Sequence, residues 1–214
     1  MPLKKHDFVA LDYVAKEKAS GKIFDLTLLE VAQKEGLAHK GVTFEPVVVC
    51  LGEGHILLSL EEYLVGKEVG TSYFVELSAE KAFGKKDSKL IKLVSLSLFN
   101  KQNIKHYPGL QLNLDGMVAT VKTVSGGRVV LDFNHPLAGK EVSYEVTPRK
   151  IITETQEKLT ALLAHFFGKK SSFTFKEGVL TLDITLPPEM QKVFTQKATS
   201  LIAEVKSIQF KTSS

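Results

Sequence analysis

The stretch from Cys50 to Gly70, CLGEGHILLSLEEYLVGKEVG, holds the residues whose spacing most readily suggests chemistry. Its Gly52-Glu53-Gly54 raises the question of a phosphate cradle built from backbone N–H groups. A dinucleotide fingerprint needs a third Gly or Ala where this chain has Leu57, and a P-loop needs Gly-Lys followed by Ser or Thr, which is missing here. The pattern therefore favours a tight turn from a strand into a helix over a phosphate site.

The remaining reactive side chains form no recognisable catalytic set. The histidines share no metal-ligand spacing, and the chain has no cysteine pair. No Gly-x-Ser-x-Gly occurs, and the acidic residues are spread over expected surfaces. We therefore expect no metal, no cofactor and no covalent or acid–base chemistry. The six histidines are His6, His39, His55, His106, His135 and His165.

Composition is that of an ordinary soluble globular protein. The chain has 214 residues, 43% hydrophobic and 24% charged, with a net charge of +4. Its lysines are scattered, which favours a mixed solvated surface over a nucleic-acid face. The one cysteine, Cys50, lies in the apolar run VVVCL, so we expect a core residue and a reducing compartment. Without a secretion signal or a membrane-length apolar run, we expect a mature cytoplasmic protein with no membrane or nucleic-acid partner.

The first 85 residues are typical of an α+β unit. FVALDYVA alternates, with Val9, Leu11 and Tyr13 on one side and Asp12 on the other, which predicts a strand with one buried face. A return strand begins at IFD. Thr27 with Glu30 resembles a capping box, and with Gly36 as a stop it predicts a helix over 27–35.

The opening stretch itself predicts a strand followed by an amphipathic helix. TFEPVVVCLG is a strand after Pro46, and HILLSLEEYLVG is a helix that ends at Gly66. Leu60 and Leu64 fall on its apolar face, whereas Glu61 and Glu62 fall on the other face. TSYFVEL is a further strand.

The pattern of predicted secondary structure changes at about residue 88 and again at about residue 154. LIKLVSLSLF, GLQLNLDG, MVATVKTV and RVVLDF predict a four-stranded all-β unit, from which NHPLAGKEVSYEV leads into another strand at 142–146. TQEKLTALLAHFF predicts an amphipathic helix, SFTFKEGVLTLDITL a hairpin turned at Glu177-Gly178, and PPEMQKVFTQKATSLIAEVKSI a second helix. Because this α-β-β-α unit is small, we expect it to pack on another body, such as a second copy.

Apolar and aromatic side chains of the first unit are expected to converge where its strands meet the short helix. Each residue alone is most simply a core residue or, for Asp25, a polar residue at a helix entry. The set is Tyr13, Phe24, Asp25, Ile56, Leu57 and Phe83.

Four segments in order resemble the FKBP-type peptidyl-prolyl isomerases. LGEGHILLSLEEYLVGKEVG is similar to their strand–helix segment, and VALDYVAKEKASGKIFD to their first strand pair. AEKAFGKKD is similar to the Ala-Tyr-Gly segment, and NHPLAGKEVSYEV to the segment by which SlyD-like members re-enter the core. The resemblance covers residues 5–153. It implies an antiparallel FKBP half-barrel wrapped on a short helix (1–87 with 139–153), an insert-in-flap chaperone domain (88–138) and an archaeal-type C-terminal domain (154–214) linked to homodimer formation.

The resemblance also implies a proline pocket, and it turns the helix of the opening stretch into the floor of that pocket. Leu60 stands where small members have Trp, Val47 where an aromatic residue is frequent, Ser59 where Gly is usual, and Phe83 where Tyr supplies a hydroxyl. The segment that ends in QFKTSS does not resemble the histidine-rich metal-binding tail of bacterial SlyD, so we expect no metal binding of that kind. The implied catalytic residues are Tyr13, Phe24, Asp25, Ile56, Leu57, Leu60, Phe83 and Tyr144, with Val47 as a substrate-binding residue.

The implied function is a folding chaperone that catalyses rotation of X-Pro bonds in proline-containing peptides and unfolded client proteins. In this interpretation the insert captures unfolded chain by strand addition, and its client-binding residues are Leu98, Leu110, Leu112 and Val121. The alternative left open is a non-catalytic holdase, in which Phe83, Ser59 and Val47 have abolished turnover.

Overall fold

The computed structural model describes residues 1–101, 103–114, 116–168 and 172–211. The chain divides into two compact units. The first unit comprises residues 1–16, 21–76 and the chain from Ser143 onward, and the second comprises residues 17–20 and 77–142. Both combine mainly antiparallel strands with short helices, which confirms the predicted α+β class.

A five-stranded sheet organises the first unit. Its order is β2-β1-β9-β4, with β3 also paired to β1. Antiparallel pairing places Phe8 opposite Cys50 and Val14 opposite Leu26, so β1 carries both β3 and β2. The elements are β1 (Phe8–Glu17), β2 (Ile23–Leu26), α1 (Leu29–Lys34), β3 (Val47–Cys50), α2 (Leu58–Leu64), β4 (Tyr73–Leu77) and β9 (Val142–Ile151).

Strand β1 is buried on both faces, so the prediction of one buried face was wrong. Eight consecutive residues from Phe8 are buried, Asp12 among them. Asp12 is satisfied because Arg149 Nε donates to its Oδ2 at 2.6 Å and Thr27 Oγ1 donates to its Oδ1 at 2.9 Å. A buried carboxylate needs such partners, and with them it occupies an interior position that alternation alone assigns to solvent.

Helix α1 is shorter than predicted and has no capping box. It spans Leu29–Lys34, and no side chain caps its N-terminus. The Thr27 hydroxyl instead accepts the Tyr13 N–H at 2.9 Å while donating to Asp12. Thr27 therefore fastens the segment after β2 to β1, and this tertiary role replaces the local one expected from the Thr-x-x-Glu spacing.

The C-terminal residues pack on the sheet of their own unit. They form α4 (Thr155–Phe167), β10 (Phe173–Lys176), β11 (Val179–Leu182), α5 (Pro188–Leu201) and β12 (Ser207–Phe210). Strand β12 pairs parallel with β11, so the predicted continuation of the last helix through Ile208 was wrong beyond Leu201. One apolar core joins Phe8 and Cys50 of the sheet to Leu159 of α4 and Phe194 of α5. This core accounts for the second buried face of β1.

The second unit contains the insert, a four-stranded sheet ordered β5-β8-β7-β6. Its elements are β5 (Ile91–Ser95), α3 (Leu96–Lys101), β6 (Gln111–Leu114), β7 (Met117–Ser125) and β8 (Arg128–Asp132). All four predicted strands are present, but LIKLVSLSLF is not one strand. Its second half is α3, whose Phe99 enters a core with Ala119, Val129 and Leu131.

No helix in the described ranges is long and apolar enough to cross a membrane.

Candidate functional site

Three aromatic rings from three strands come together in the first unit. Tyr144 on β9 lies with its ring centroid 5.9 Å from that of Tyr13 on β1 and 6.0 Å from that of Phe24 on β2. The Phe24 and Tyr144 rings meet edge to face at 82°. Such tilted arrangements are the favoured geometries of aromatic pairs. The sequence-predicted residues Tyr13, Phe24 and Tyr144 therefore form one aromatic cluster.

Asp25 joins the aromatic cluster through a hydrogen bond. The Tyr13 hydroxyl donates to Asp25 Oδ2 at 2.8 Å. Burial raises the pKa of the Tyr13 phenol well above its usual value, and the Asp25 charge adds to the rise. Burial, followed by Asp25, raises the pKa of Tyr144 as well. Both phenols stay protonated at physiological pH, so the two tyrosine rings are uncharged and one hydroxyl is committed to Asp25.

The turn between β3 and α2 is organised by a buried glutamate. Glu61 is 0% exposed. Its Oε2 accepts the N–H groups of Gly52 at 2.7 Å and Gly54 at 3.0 Å, and its Oε1 accepts that of Ile56 at 2.9 Å. The placement of Glu61 on a polar face was therefore wrong. A carboxylate of the chain itself occupies the N–H groups that a phosphate would need, which excludes a phosphate cradle at this turn.

Two glycines make this turn possible. Gly52 and Gly54 have φ values of +88° and +74°, which side chains other than that of Gly rarely adopt. A Cβ on Gly52 would also lie 2.9 Å from Lys5 Cε. The two glycines of the opening motif therefore serve the backbone conformation of the turn.

Residues at the start of α2 stand directly after this turn. Leu57 is the N-cap residue and is half-buried, as is Ile56. Among the described residues, none accepts a hydrogen bond from the Leu57 N–H. Leu60 is fully buried in α2, and Val47 is half-buried at the first position of β3.

Phe83 lies in the second unit, where it stacks on His135. Their ring centroids are 4.5 Å apart and their planes differ by 2°. Nearby in the chain, Asn134 accepts the Asp87 N–H at 2.8 Å and donates to the Asp87 carbonyl at 3.0 Å. The Ala-Phe-Gly and Asn-His-Pro segments are thus held together where the chain enters and leaves the insert.

The insert carries an apolar groove of about 290 Å³. Of the predicted client-binding residues, Leu98 lines this groove and is 50% exposed, on α3 and not on a strand as expected. Leu110 and Leu112 are half-buried against the insert core. Val121 is 0% exposed, which corrects its assignment as a client-binding side chain. Sequence reasoning missed Met117, which also lines the groove and is 59% exposed.

Metal and thiol chemistry find no support in the described part of the chain. It contains no group of three or more His, Cys, Asp or Glu side chains placed to hold a metal ion. Cys50 is buried, and burial together with Glu53 and Glu61 raises the pKa of its thiol to about 12. Such a thiol is protonated and inert, consistent with the core role expected for it.

Comparison with known proteins shows that the chain is similar in sequence to peptidyl-prolyl cis-trans isomerases. The chain is 31% identical over 149 residues to a short-type peptidyl-prolyl cis-trans isomerase of Methanocaldococcus jannaschii, an alignment that covers 70% of this chain and 94% of that protein. It is 32% identical over 116 residues to the FKBP-type isomerase SlyD of Treponema pallidum, covering 52% of this chain and 65% of SlyD. The chain belongs to the FKBP-type peptidyl-prolyl cis-trans isomerase family, SlyD-like branch.

Two further matches fit this FKBP-type, SlyD-like assignment. The family model described as the IF domain of FKBP26 matches residues 92–137, which covers the four strands of the insert. The FKBP-type 16 kDa peptidyl-prolyl cis-trans isomerase of Escherichia coli K12 is 28% identical over 127 residues, covering 58% of this chain and 83% of that protein. The resemblance identified in the four sequence segments is thereby confirmed.

Proposed function

We propose that this FKBP-type chain is a peptidyl-prolyl cis-trans isomerase that also acts as a folding chaperone. The relatives named above are isomerases, which disfavours the holdase alternative. The observation that supports the proposal for this chain is the aromatic cluster of Tyr13, Phe24 and Tyr144, in which the Tyr13 hydroxyl donates a hydrogen bond to Asp25.

The aromatic cluster supplies an apolar surface for a proline ring. Isomerisation requires loss of amide resonance and is slow in water, taking tens to hundreds of seconds. No nucleophile is needed. A site that removes water from the imide carbonyl and fits the twisted bond lowers the barrier by differential binding. In the proposed pocket Tyr13, Phe24 and Tyr144 hold the ring above Leu60, with Ile56 and Val47 as further wall residues. The role of Phe83 is proposed from the family resemblance alone.

Two polar groups would orient the peptide in this pocket. The Leu57 N–H, which no described residue occupies, would donate to a substrate carbonyl. Asp25 would accept a hydrogen bond from the peptide while it holds the Tyr13 hydroxyl. Neither step transfers a proton, which agrees with the lack of acid–base chemistry expected from the sequence.

The insert groove would supply the chaperone activity. Half-exposed Leu98 and Met117 line an apolar groove. Leu112 lies on β6, an edge strand of the insert sheet, and Leu110 immediately precedes that strand. Apolar grooves and open edges bind unfolded segments with little sequence preference. Capture of an unfolded client raises the effective concentration of its prolines at the pocket.

Three further features belong to this proposal. The domain division is 1–87 with 139–153, 88–138, and 154–214. The C-terminal domain forms a homodimer, which the exposed Met190 and Val193 on α5 support, and a monomer by light scattering at high micromolar concentration would contradict it. The cytoplasmic location and the archaeal-type assignment rest on the buried lone cysteine and on the C-terminal extension, respectively.

The experiment that tests the proposed activity is prolyl cis–trans exchange measured by NMR on an Ala-Leu-Pro-Phe peptide. We expect wild-type protein to accelerate exchange, and Tyr13→Ala and Asp25→Ala to lose most of the acceleration while remaining folded. No acceleration by folded wild-type protein would overturn the isomerase proposal in favour of the holdase.

A further inference from the structure

The turn that precedes Leu57 is contacted from outside by the two C-terminal helices. Inside the turn, the Glu61 carboxylate holds three backbone N–H groups. Two other side chains of the turn, Glu53 and His55, contact α5 and α4 respectively. The turn therefore has two sets of supports, and only the first belongs to the strand–helix segment itself.

Glu53 links the turn to α5 and to the segment before β1. Its Oε2 forms an ion pair with Lys197 Nζ, and its Oε1 lies 3.0 Å from His6 Nδ1. The Glu53 side chain is only 6% exposed, whereas that of Lys197 is 40% exposed. Removing the cation leaves a nearly buried carboxylate with one partner fewer, which is much costlier than the loss of a surface pair.

His55 links the turn to α4. Its Nδ1 accepts the Cys50 N–H at 3.1 Å, so this nitrogen carries no proton. Its ring stacks on that of His165 with centroids 3.9 Å apart and planes 22° apart. Burial, followed by the charge of His165, lowers the pKa of His55 to about 4, which keeps the ring neutral at physiological pH. The two rings thus stack on each other beside Cys50, at the end of β3.

We propose that Lys197 and His165 are positioning residues for the isomerase site. Through Glu53 and His55 they fix the turn, and through the turn they fix the direction of the Leu57 N–H. We call this pair the C-terminal clamp. The inference rests on the proposed role of the Leu57 N–H, and it gives the C-terminal region a part in turnover that dimer formation does not require.

The effect of the clamp follows from how sensitive catalysis is to geometry. A misplacement of about 1 Å in a substrate-binding group can lower a rate by about 100-fold. Because Glu61 still holds the inner side of the turn, loss of Lys197 should displace the Leu57 N–H by less than that distance. We expect kcat/KM for a short proline peptide to fall about 3- to 10-fold.

The test uses full-length Lys197→Met, which retains most of the aliphatic stem, beside Lys192→Met. Lys192 lies on the same helix and is exposed, so it controls for the loss of one positive charge from α5. Two readouts are compared: kcat/KM on the Ala-Leu-Pro-Phe peptide, and amide hydrogen exchange of Ile56 and Leu57. Urea denaturation verifies that each variant is folded under assay conditions.

We expect Lys197→Met to lower kcat/KM and to speed amide exchange at Ile56 and Leu57, while Lys192→Met leaves both unchanged. Lys197→Arg keeps the ion pair to Glu53, so its kcat/KM and its amide exchange should be those of wild-type protein. If Lys197 acted only by filling space, Lys197→Met, which retains most of the stem, would also behave like wild-type protein. Folded Lys197→Met with wild-type turnover and wild-type exchange would overturn the clamp.

Failure of the clamp and failure of the proposed function give different results. If wild-type protein does not accelerate prolyl exchange, the isomerase proposal falls and amide exchange alone decides the clamp. In that case, faster amide hydrogen exchange at Leu57 in Lys197→Met than in Lys192→Met supports the positioning of the turn by Lys197. Equal amide hydrogen exchange in the two variants overturns it.

Discussion

The two proposed binding regions of this chain are built on opposite principles. In the aromatic cluster Tyr13 and Tyr144 are 8% and 6% exposed, and Tyr13 has a fixed polar partner in Asp25. In the insert groove Leu98 and Met117 are half exposed or more, and the lining is mostly aliphatic. A rigid site selects one chemical group, whereas flexible apolar side chains adapt to many partners. The difference predicts that substitutions in the two regions affect different substrates.

The largest expected effect comes from Glu61, which supports the rigid region. In Glu61→Gln the amide NH2 group faces backbone donors that the carboxylate accepted, so at least one buried N–H loses its acceptor. We expect the free energy of unfolding to fall by about 2–4 kcal/mol. We also expect turnover of a proline tetrapeptide to fall at least 10-fold. Urea denaturation and NMR exchange measure the two effects.

The neighbouring Glu62 provides the control for that substitution. Glu62 is exposed, so Glu62→Gln should change neither stability nor turnover appreciably. Equal behaviour of the Glu61 and Glu62 variants would mean that the turn does not depend on the buried carboxylate.

The next largest effect is expected at Tyr144, the ring shared by both aromatic contacts. Tyr144→Leu removes the contacts to Tyr13 and Phe24 while keeping an apolar side chain. We expect kcat/KM on a tetrapeptide to fall about 10-fold or more, with suppression of client aggregation unchanged. A parallel loss of aggregation suppression would show that the two regions are not independent.

A substitution in the groove should have the opposite pattern. Leu98→Asn places a polar group in the apolar lining, and we expect aggregation suppression to weaken several-fold while tetrapeptide turnover stays the same. Leu93→Asn is the matched control, because Leu93 is 58% exposed on β5 but does not line the groove. If both variants weaken suppression equally, clients do not use the groove.

The smallest effect concerns pH and the outer support of the turn. His55 has an ordinary pKa near 6.5 when unfolded and about 4 when folded, so the folded state binds fewer protons between these values. Above pH 6.5 the titration of His55 therefore does not lower the free energy of unfolding, and this free energy declines as the pH falls from 6.5 towards 4. Because His55 retains partial solvent contact, we expect a loss of only about 1–2 kcal/mol.

Comparison of urea denaturation at pH 7.5 and 4.5 measures that loss. The charged groups that face His55 are Glu53 on its own turn, His165 on α4 and Lys197 on α5. Glu53 raises the pKa of His55, whereas His165 and Lys197 lower it. His55→Gln should flatten the pH dependence, whereas the same change at exposed His39 should not. An equally steep decline in His55→Gln would assign the pH dependence to other groups.

The sequence predicted the elements whose signals are local. The insert strands, α2 and the hairpin at Glu177-Gly178 all follow from alternation, helical periodicity or turn residues within short windows. The convergence of Tyr13 and Phe24 was expected from the strand pattern of the first unit. Tyr144 came from the family resemblance, since residues as far apart as Tyr13 and Tyr144 carry no local sign of their contact.

The errors arise where distant residues override a local pattern. Glu61 has the spacing of a surface residue, yet it is buried because three backbone N–H groups upstream need an acceptor. Thr27 has the spacing of a helix cap, yet it bonds to β1. Strand β12 exists through parallel pairing with β11, which a four-residue segment by itself does not reveal.

If the pocket catalyses isomerisation and the insert captures unfolded chain, a short peptide and an unfolded protein should depend differently on the insert. Isomerisation of the tetrapeptide and of an unfolded, proline-limited client protein is compared between wild type and a chain whose residues 88–138 are replaced by a short loop. We expect the shortened chain to keep kcat/KM on the tetrapeptide within about twofold and to lose about 10-fold or more on the unfolded protein. An equal loss on both substrates, or no loss on either, would contradict it.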